Sequence, residues 1–212
     1  MSHYLVAVIL DGDEINKVQE RFKDNEIKKL VEQSLEPFDE DIQVEPYISR
    51  TCQELETEYH DILQAIEKND SSVYNLDYIL RFKDNLSTFE GYAKTFFNCN
   101  QLDADYNYIS TYNPKSKWDW YEIGGRWSDL INDYASNIRE SGSFKVQDIV
   151  KQLKDITYAV LTKDGKWHEP GEMLWFGISS ASEEQKENFD PDKIIREDAN
   201  RNDYIVLVDC HI

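Results

Sequence analysis

Tyr4-Leu5-Val6-Ala7-Val8-Ile9-Leu10, closed by Asp11-Gly12-Asp13, is an unbroken apolar run of strand length that ends in a turn. A strand with one wet face alternates apolar and polar residues, whereas one buried on both faces does not, so this run predicts a central strand. Tyr204-Ile205-Val206-Leu207-Val208-Asp209-Cys210 has the same character at the other end of the chain. The two are expected to be neighbours or near neighbours in one sheet. That would join both ends of the chain in a single domain spanning 1–212.

Working inward, Val18, Phe22, Ile27, Leu30, Val31 and Leu35 form a rough helical stripe that stops before Pro37, and Gln43 to Ile48 reads as a short strand. Thr51 and Glu54 have the spacing of a capping box, and Leu55, Tyr59, Ile62, Leu63 and Ile66 recur at three and four residues, so 51–68 is an amphipathic helix. A second helical pattern covers about 73–97, bent near Gly91. Together they form an acidic helical insertion at about 51–100. Beyond it, Phe144 to Ile156 has helical spacing, Thr157–Thr162 and Met173–Ile178 read as strands, and Ser182–Phe189 reads as a short capped helix. Asp164-Gly165 marks a hairpin turn, because tight hairpins need positive φ, and Trp167 opens the return strand. The expected fold class is α+β, an antiparallel or mixed sheet with helices packed on one face.

Twenty-three Lys and Arg against 42 Asp and Glu leave a formal net charge of −19, which repels phosphate backbones and anionic lipid surfaces. General duplex binding is excluded on that ground. No stretch approaches the roughly 20 apolar residues of a membrane span, and the N-terminus lacks the pattern of a signal peptide, so a cytoplasmic location is expected. Cys52, Cys99 and Cys210 form no CxxC pair and point to reduced thiols. The acid is concentrated: Glu36, Asp39, Glu40, Asp41 and Glu45 lie within ten residues that hold no base, and Glu54, Glu56, Glu58 and Asp61 follow on the first insertion helix. Such a surface is either merely solvated or complementary to a basic groove on a partner.

The least ordinary stretch is Lys117-Trp118-Asp119-Trp120-Tyr121-Glu122-Ile123-Gly124-Gly125-Arg126-Trp127, which holds three of the five tryptophans. As a core corner, it would bury Trp118, Trp120 and Trp127 and pair Arg126 with Asp119 or Glu122. As a pocket, Arg126 beside Gly124-Gly125 would meet a carboxylate or phosphate while a tryptophan stacks on a base. Neither a GxxxxGK[ST] loop nor a GxGxxG fingerprint is present. His60 reads as a surface residue of the charged helix. His3, His168 and His211 could meet at one sheet edge with Asp209 or Cys210, but no HxH, HExxH or Cys-His spacing supports a metal, and no cofactor is expected. Cys210 and His211, adjacent on a strand, point to opposite faces and make a poor nucleophile–base pair.

These motifs, with Leu35-Glu36-Pro37-Phe38-Asp39-Glu40, Asp164-Gly165-Lys166-Trp167, Gly171-Glu172-Met173 and the terminal Val208-Asp209-Cys210-His211-Ile212, resemble a family of uncharacterised proteins of phages, prophages and bacteria. The resemblance implies a mobile genetic element as context and carries no activity. The leading expectation is a non-catalytic accessory protein that binds and inhibits a host protein with a basic surface, such as a nucleic-acid-dependent defence complex of the CRISPR kind. The alternatives are a nucleotide or small-molecule binder, or an enzyme, centred on the Trp-rich segment, and a plain accessory protein.

Overall fold

The computed structural model describes residues 2–173 and 178–212, and for Cys99 the backbone only. The two apolar runs form β1 (His3–Leu10) and β8 (Tyr204–His211), antiparallel neighbours in register from His3↔His211 to Leu10↔Tyr204. β6 (Ala159–Leu161) lies parallel on the other side of β1 and leads through the Thr162–Lys166 turn, with Gly165 at φ +76°, into β7 (Trp167–His168). The far edge of β8 is shared by β4 (Trp120–Ile123), which pairs with its last residues, and β5 (Ser143–Lys145), which pairs with its first. The sheet is mixed and the fold is α+β.

Alternation along β1 sorts its side chains onto two faces, and both are covered. Tyr4, Val6, Val8 and Leu10 share one core with Ile15 of α1 (Gly12–Asn16), with Ile27, Val31 and Leu35 of α2 (Lys23–Leu35), and with Phe38. Leu5, Ala7 and Ile9 share the other with Ile131 and Ala135 beside α6 (Ser128–Tyr134), with Leu153, and with Ile195 of α8 (Pro191–Asp198). Helices therefore lie on both faces rather than one. An unbroken apolar strand leaves no face that water can cover, so each side needs its own layer.

The chain divides into two compact units, Met1–Ile42 with Asn113–Ile212, and Gln43–Tyr112. The inserted unit is longer than the helices read at 51–100, because it brings its own antiparallel pair, β2 (Gln43–Arg50) and β3 (Tyr108–Tyr112). Its α3 (Cys52–Lys68) starts with the expected capping box: Thr51 Oγ1 accepts from the Glu54 N–H and the Glu54 carboxylate accepts from the Thr51 N–H. Tyr59 and Ile62 of α3 pack against Ile79, Leu86 and Tyr92.

Two helical readings are corrected. Residues 73–97 form α4 (Leu76–Ile79), a run of 3-10 turns through Ser87 that is kinked at Phe82, and α5 (Phe89–Phe96), so the helical path breaks at Phe82 and Thr88 and not at Gly91. Thr88 caps α5, its hydroxyl accepting from the Gly91 N–H. Phe144 to Ile156 is β5 followed by short 3-10 turns, because β4 stops at Ile123 and leaves the first residues of β8 free to pair with Ser143–Lys145. Helical spacing there is overridden by a tertiary ladder. The Ser182–Phe189 helix is present as α7 (Glu183–Asn188), capped by Ser182 and Gln185. Most of the strand expected at Met173–Ile178 lies outside the described residues.

Candidate functional site

Residues two apart on a strand share a face, and directly opposed residues of paired strands share it too. Asp209 and His211 of β8 therefore stand on the same side of the sheet as His3, opposite His211 on β1, and as Trp120 and Glu122 of β4, opposite His211 and Asp209. This is the face of Leu5 and Leu207, so the apolar layer ends in a polar corner.

Asp209 is its centre. Its side chain is only 3 % exposed, and it is held by His3 Nδ1 at 3.0 Å and by the Arg126 N–H at 3.2 Å, with Arg126 Nε at 3.8 Å. The Gly-Gly turn makes this approach possible. Gly124 and Gly125 take φ of +72° and +48°, and a Cβ on Gly125 would fall 2.4 Å from that of Asp209. Glycine is required at that position twice over, by conformation and by space.

His211 has its own carboxylate, with Nδ1 2.6 Å from Asp119 Oδ1. Its ring meets that of His3 edge-on at 4.8 Å between centroids, and Trp120 lies beside it at 6.3 Å. In each pair Nδ1 is the ring nitrogen that faces the carboxyl oxygen, so Nε2 is the nitrogen left for other chemistry. Among the described residues neither Nε2 has a hydrogen-bond partner. Trp120 is 50 % exposed, and the Arg126 side chain is 56 % exposed and lies over the Trp127 ring.

The three tryptophans thus separate. Trp118 is core, as expected: its Nε1 donates to Leu35 O at 3.1 Å and its ring meets Tyr121 edge-on. Trp127 is half-buried against the second core. Trp120 is the correction, a half-exposed ring where burial was expected, because its face of β4 ends beside the polar corner. Arg126 turns to Asp209 and not to Asp119 or Glu122. His3, His211 and Asp209 converge as foreseen, while His168 sits on β7, beyond β6 from β1. Among the described residues no group of three His, Cys, Asp or Glu could hold a metal ion. Cys210 faces the opposite core, where burial first and the charge of Asp209 second push its thiol well above the ordinary value and keep it protonated. The Asp119–His211 pair was missed, although the parity of 209 and 211 on a strand pointed at this face.

The acidic candidates have mixed surroundings. Glu36 and Asp41 are exposed, while Asp39 and Glu40 are half-buried in a segment tied to the Trp-rich stretch, Glu40 N donating to Trp118 O and Lys117 N to Phe38 O. Glu36 and Asp39 border a cleft of about 450 Å³ floored by Trp118 and Tyr121. In the inserted unit, Glu45, Glu56 and Asp61 are exposed, Glu54 is engaged in the capping box, and Glu58 pairs with Arg50.

Comparison of the chain with protein-family models, with curated proteins and with solved structures finds no significant match. No described helix is long and apolar enough to cross a membrane.

Proposed function

We propose that the corner formed by His3, Asp209, His211, Asp119, Trp120 and Arg126 binds a small ligand that carries a planar ring and an anionic group, with nucleotides as the natural class. The carrying observation is that Trp120 and Arg126 keep half or more of their side chains open while flanking a carboxylate and two imidazoles that are mostly covered. A tryptophan face stacks a base with about 1–3 kcal/mol by alanine truncation, and a guanidinium gives an anion two parallel hydrogen bonds. Calorimetric titration with a nucleotide panel tests it. Arg126→Ala should weaken binding about 10-fold or more with its melting curve unchanged, and Trp120→Ala somewhat less, with a smaller stability loss than a core tryptophan would show. Equal affinity of wild type and Arg126→Ala would sink the reading.

A second reading retains the acidic residues of each unit, taken separately, as the working groups, on a protein carried by a mobile element that inhibits a basic host partner. Its support is the net charge of −19 and the exposure of Glu36, Asp41, Glu45, Glu56 and Asp61. Exposed pairs are worth under about 1 kcal/mol each, so single reversals should be silent and combined ones should slow association. Partner capture that survives rising salt unchanged would refute it. Both readings take the protein to be cytoplasmic, which suits the free thiols of Cys52 and Cys210.

A further inference from the structure

We infer that this corner is also catalytic, with His3 and His211 acting as a general base and general acid pair on a small nucleotide phosphodiester. The inference rests on the ligand reading above and deepens it. Two imidazoles are brought edge-on at 4.8 Å, each with its Nδ1 fixed by a different carboxylate, Asp209 for His3 and Asp119 for His211. A binding site needs neither arrangement. Ring stacking is met by Trp120 and anion recognition by Arg126, so the doubled His–carboxylate pair is a surplus that proton transfer accounts for. The two aspartates are positioning residues: each engages Nδ1 of its ring, which fixes the ring and leaves Nε2 as the nitrogen for proton transfer.

A phosphodiester uses both rings. The neutral Nε2 of one ring takes a proton from water as the water oxygen bonds to phosphorus. The ester P–O bond breaks, and its oxygen leaves with the proton donated by Nε2–H of the other. One water is consumed, and a phosphate monoester and an alcohol are formed. The rings end with exchanged protonation and reset through solvent. The Arg126 guanidinium faces the phosphoryl oxygens, and Trp120 holds the neighbouring base. The net charge of −19 disfavours long polyanions, which confines the substrate to cyclic or short nucleotides. The other charged groups at the corner are Glu122 on β4, opposite Asp209, and Arg126 on the turn above it.

The test incubates the full-length protein with 2′,3′-cyclic AMP, follows monophosphate release between about pH 5 and 9, and measures binding of the same nucleotide separately. The expected result is turnover with a bell-shaped pH dependence. His3→Gln and His211→Gln should each lower kcat about 10²- to 10⁴-fold with KM changed less than about threefold. Asp119→Asn, at the more exposed of the two carboxylates, should lower kcat and distort the pH profile while the protein stays folded. Binding without turnover overturns this inference and leaves the ligand reading standing. Absence of binding overturns the ligand reading itself. If a histidine variant fails to melt cooperatively, the wild-type profile and Asp119→Asn decide, and a flat profile or an unchanged Asp119→Asn overturns the assignment.

Discussion

Gly125→Ala probes the contact on which the corner depends. At φ +48° an L-residue carries left-handed strain of about 1–2 kcal/mol, partly offset by about 0.4–1 kcal/mol from the stiffer unfolded chain. The added methyl would also lie 2.4 Å from Asp209 Cβ and 2.5 Å from its Oδ2. Rotating the aspartate cannot relieve a clash with its own Cβ, and β8 cannot retreat, because β1 and β4 hold it on both sides. The turn must back away, and the hydrogen bond from the Arg126 N–H to a buried carboxylate goes with it, at about 1.5–3 kcal/mol. The net loss is about 3 kcal/mol, or roughly 6–12 °C in Tm for a chain of this length. Gly165→Ala is the internal control: its φ is +76°, but nothing lies within 4 Å of the added methyl, so only the strain remains, about 1 kcal/mol or less after the offset. Urea denaturation of the two variants beside the wild type measures both. Equal losses would refute the close-approach reasoning, since conformation alone would then explain Gly125.

Trp118→Ala should cost about 3–5 kcal/mol, as it opens a cavity and orphans Leu35 O, whereas Trp120→Ala should cost well under half of that and act on ligand affinity; denaturant midpoints separate them. Asp203 accepts from the Gly12 and Asn200 N–H groups and from Lys163 Nζ, and although burial alone would raise its carboxyl, these donors hold it below the ordinary 3.8. A lowered folded value means stability fully present above about pH 4 and lost as pH falls through that value, so Asp203→Asn should destabilise by about 2–4 kcal/mol at neutral pH with the gap closing in acid. A gap independent of pH, read from melting curves, would contradict this. Thr51→Ala removes the hydroxyl half of the α3 capping box and should cost about 1 kcal/mol; amide exchange slowed as in the wild type across the first turn of α3 would count against it.

What could be read from the sequence was local or strongly patterned. β1 and β8 declare themselves because unbroken apolar runs, seven residues at Tyr4–Leu10 and five at Tyr204–Val208, admit one kind of strand, and α3 does so because its cap and its three-and-four spacing agree. What escaped was decided by partners far away in the chain. Trp118 and Trp120 differ by two positions and would share a face in a regular strand. Trp118, however, precedes β4 and bridges to Asp39, which turns its ring into the α2 side, while Trp120 pairs with His211. Likewise Ser143–Lys145 is a strand because β4 ends early. A pattern confined to one segment cannot report where another stops.

The polar corner is the part that stability does not require. Along its face β8 runs Ile205, Leu207, Asp209, His211, and β1 runs Ile9, Ala7, Leu5, His3, so the apolar row continues to the level of Asp209 and then gives way. An apolar residue at 209 would extend the core and leave no charge to desolvate. The carboxylate in its place costs several kcal/mol unless fully paired, and the Gly-Gly turn, the Arg126 N–H and His3 are all committed to pairing it. A Gly-Gly turn that no other residue could replace, pressed against a buried carboxyl on β8, is expensive as architecture. It is what a site needs if it must hold imidazoles at a fixed angle beside an open arginine and an open tryptophan, and that asymmetry between structural cost and chemical use is the reason to look for the function of this chain at Asp209.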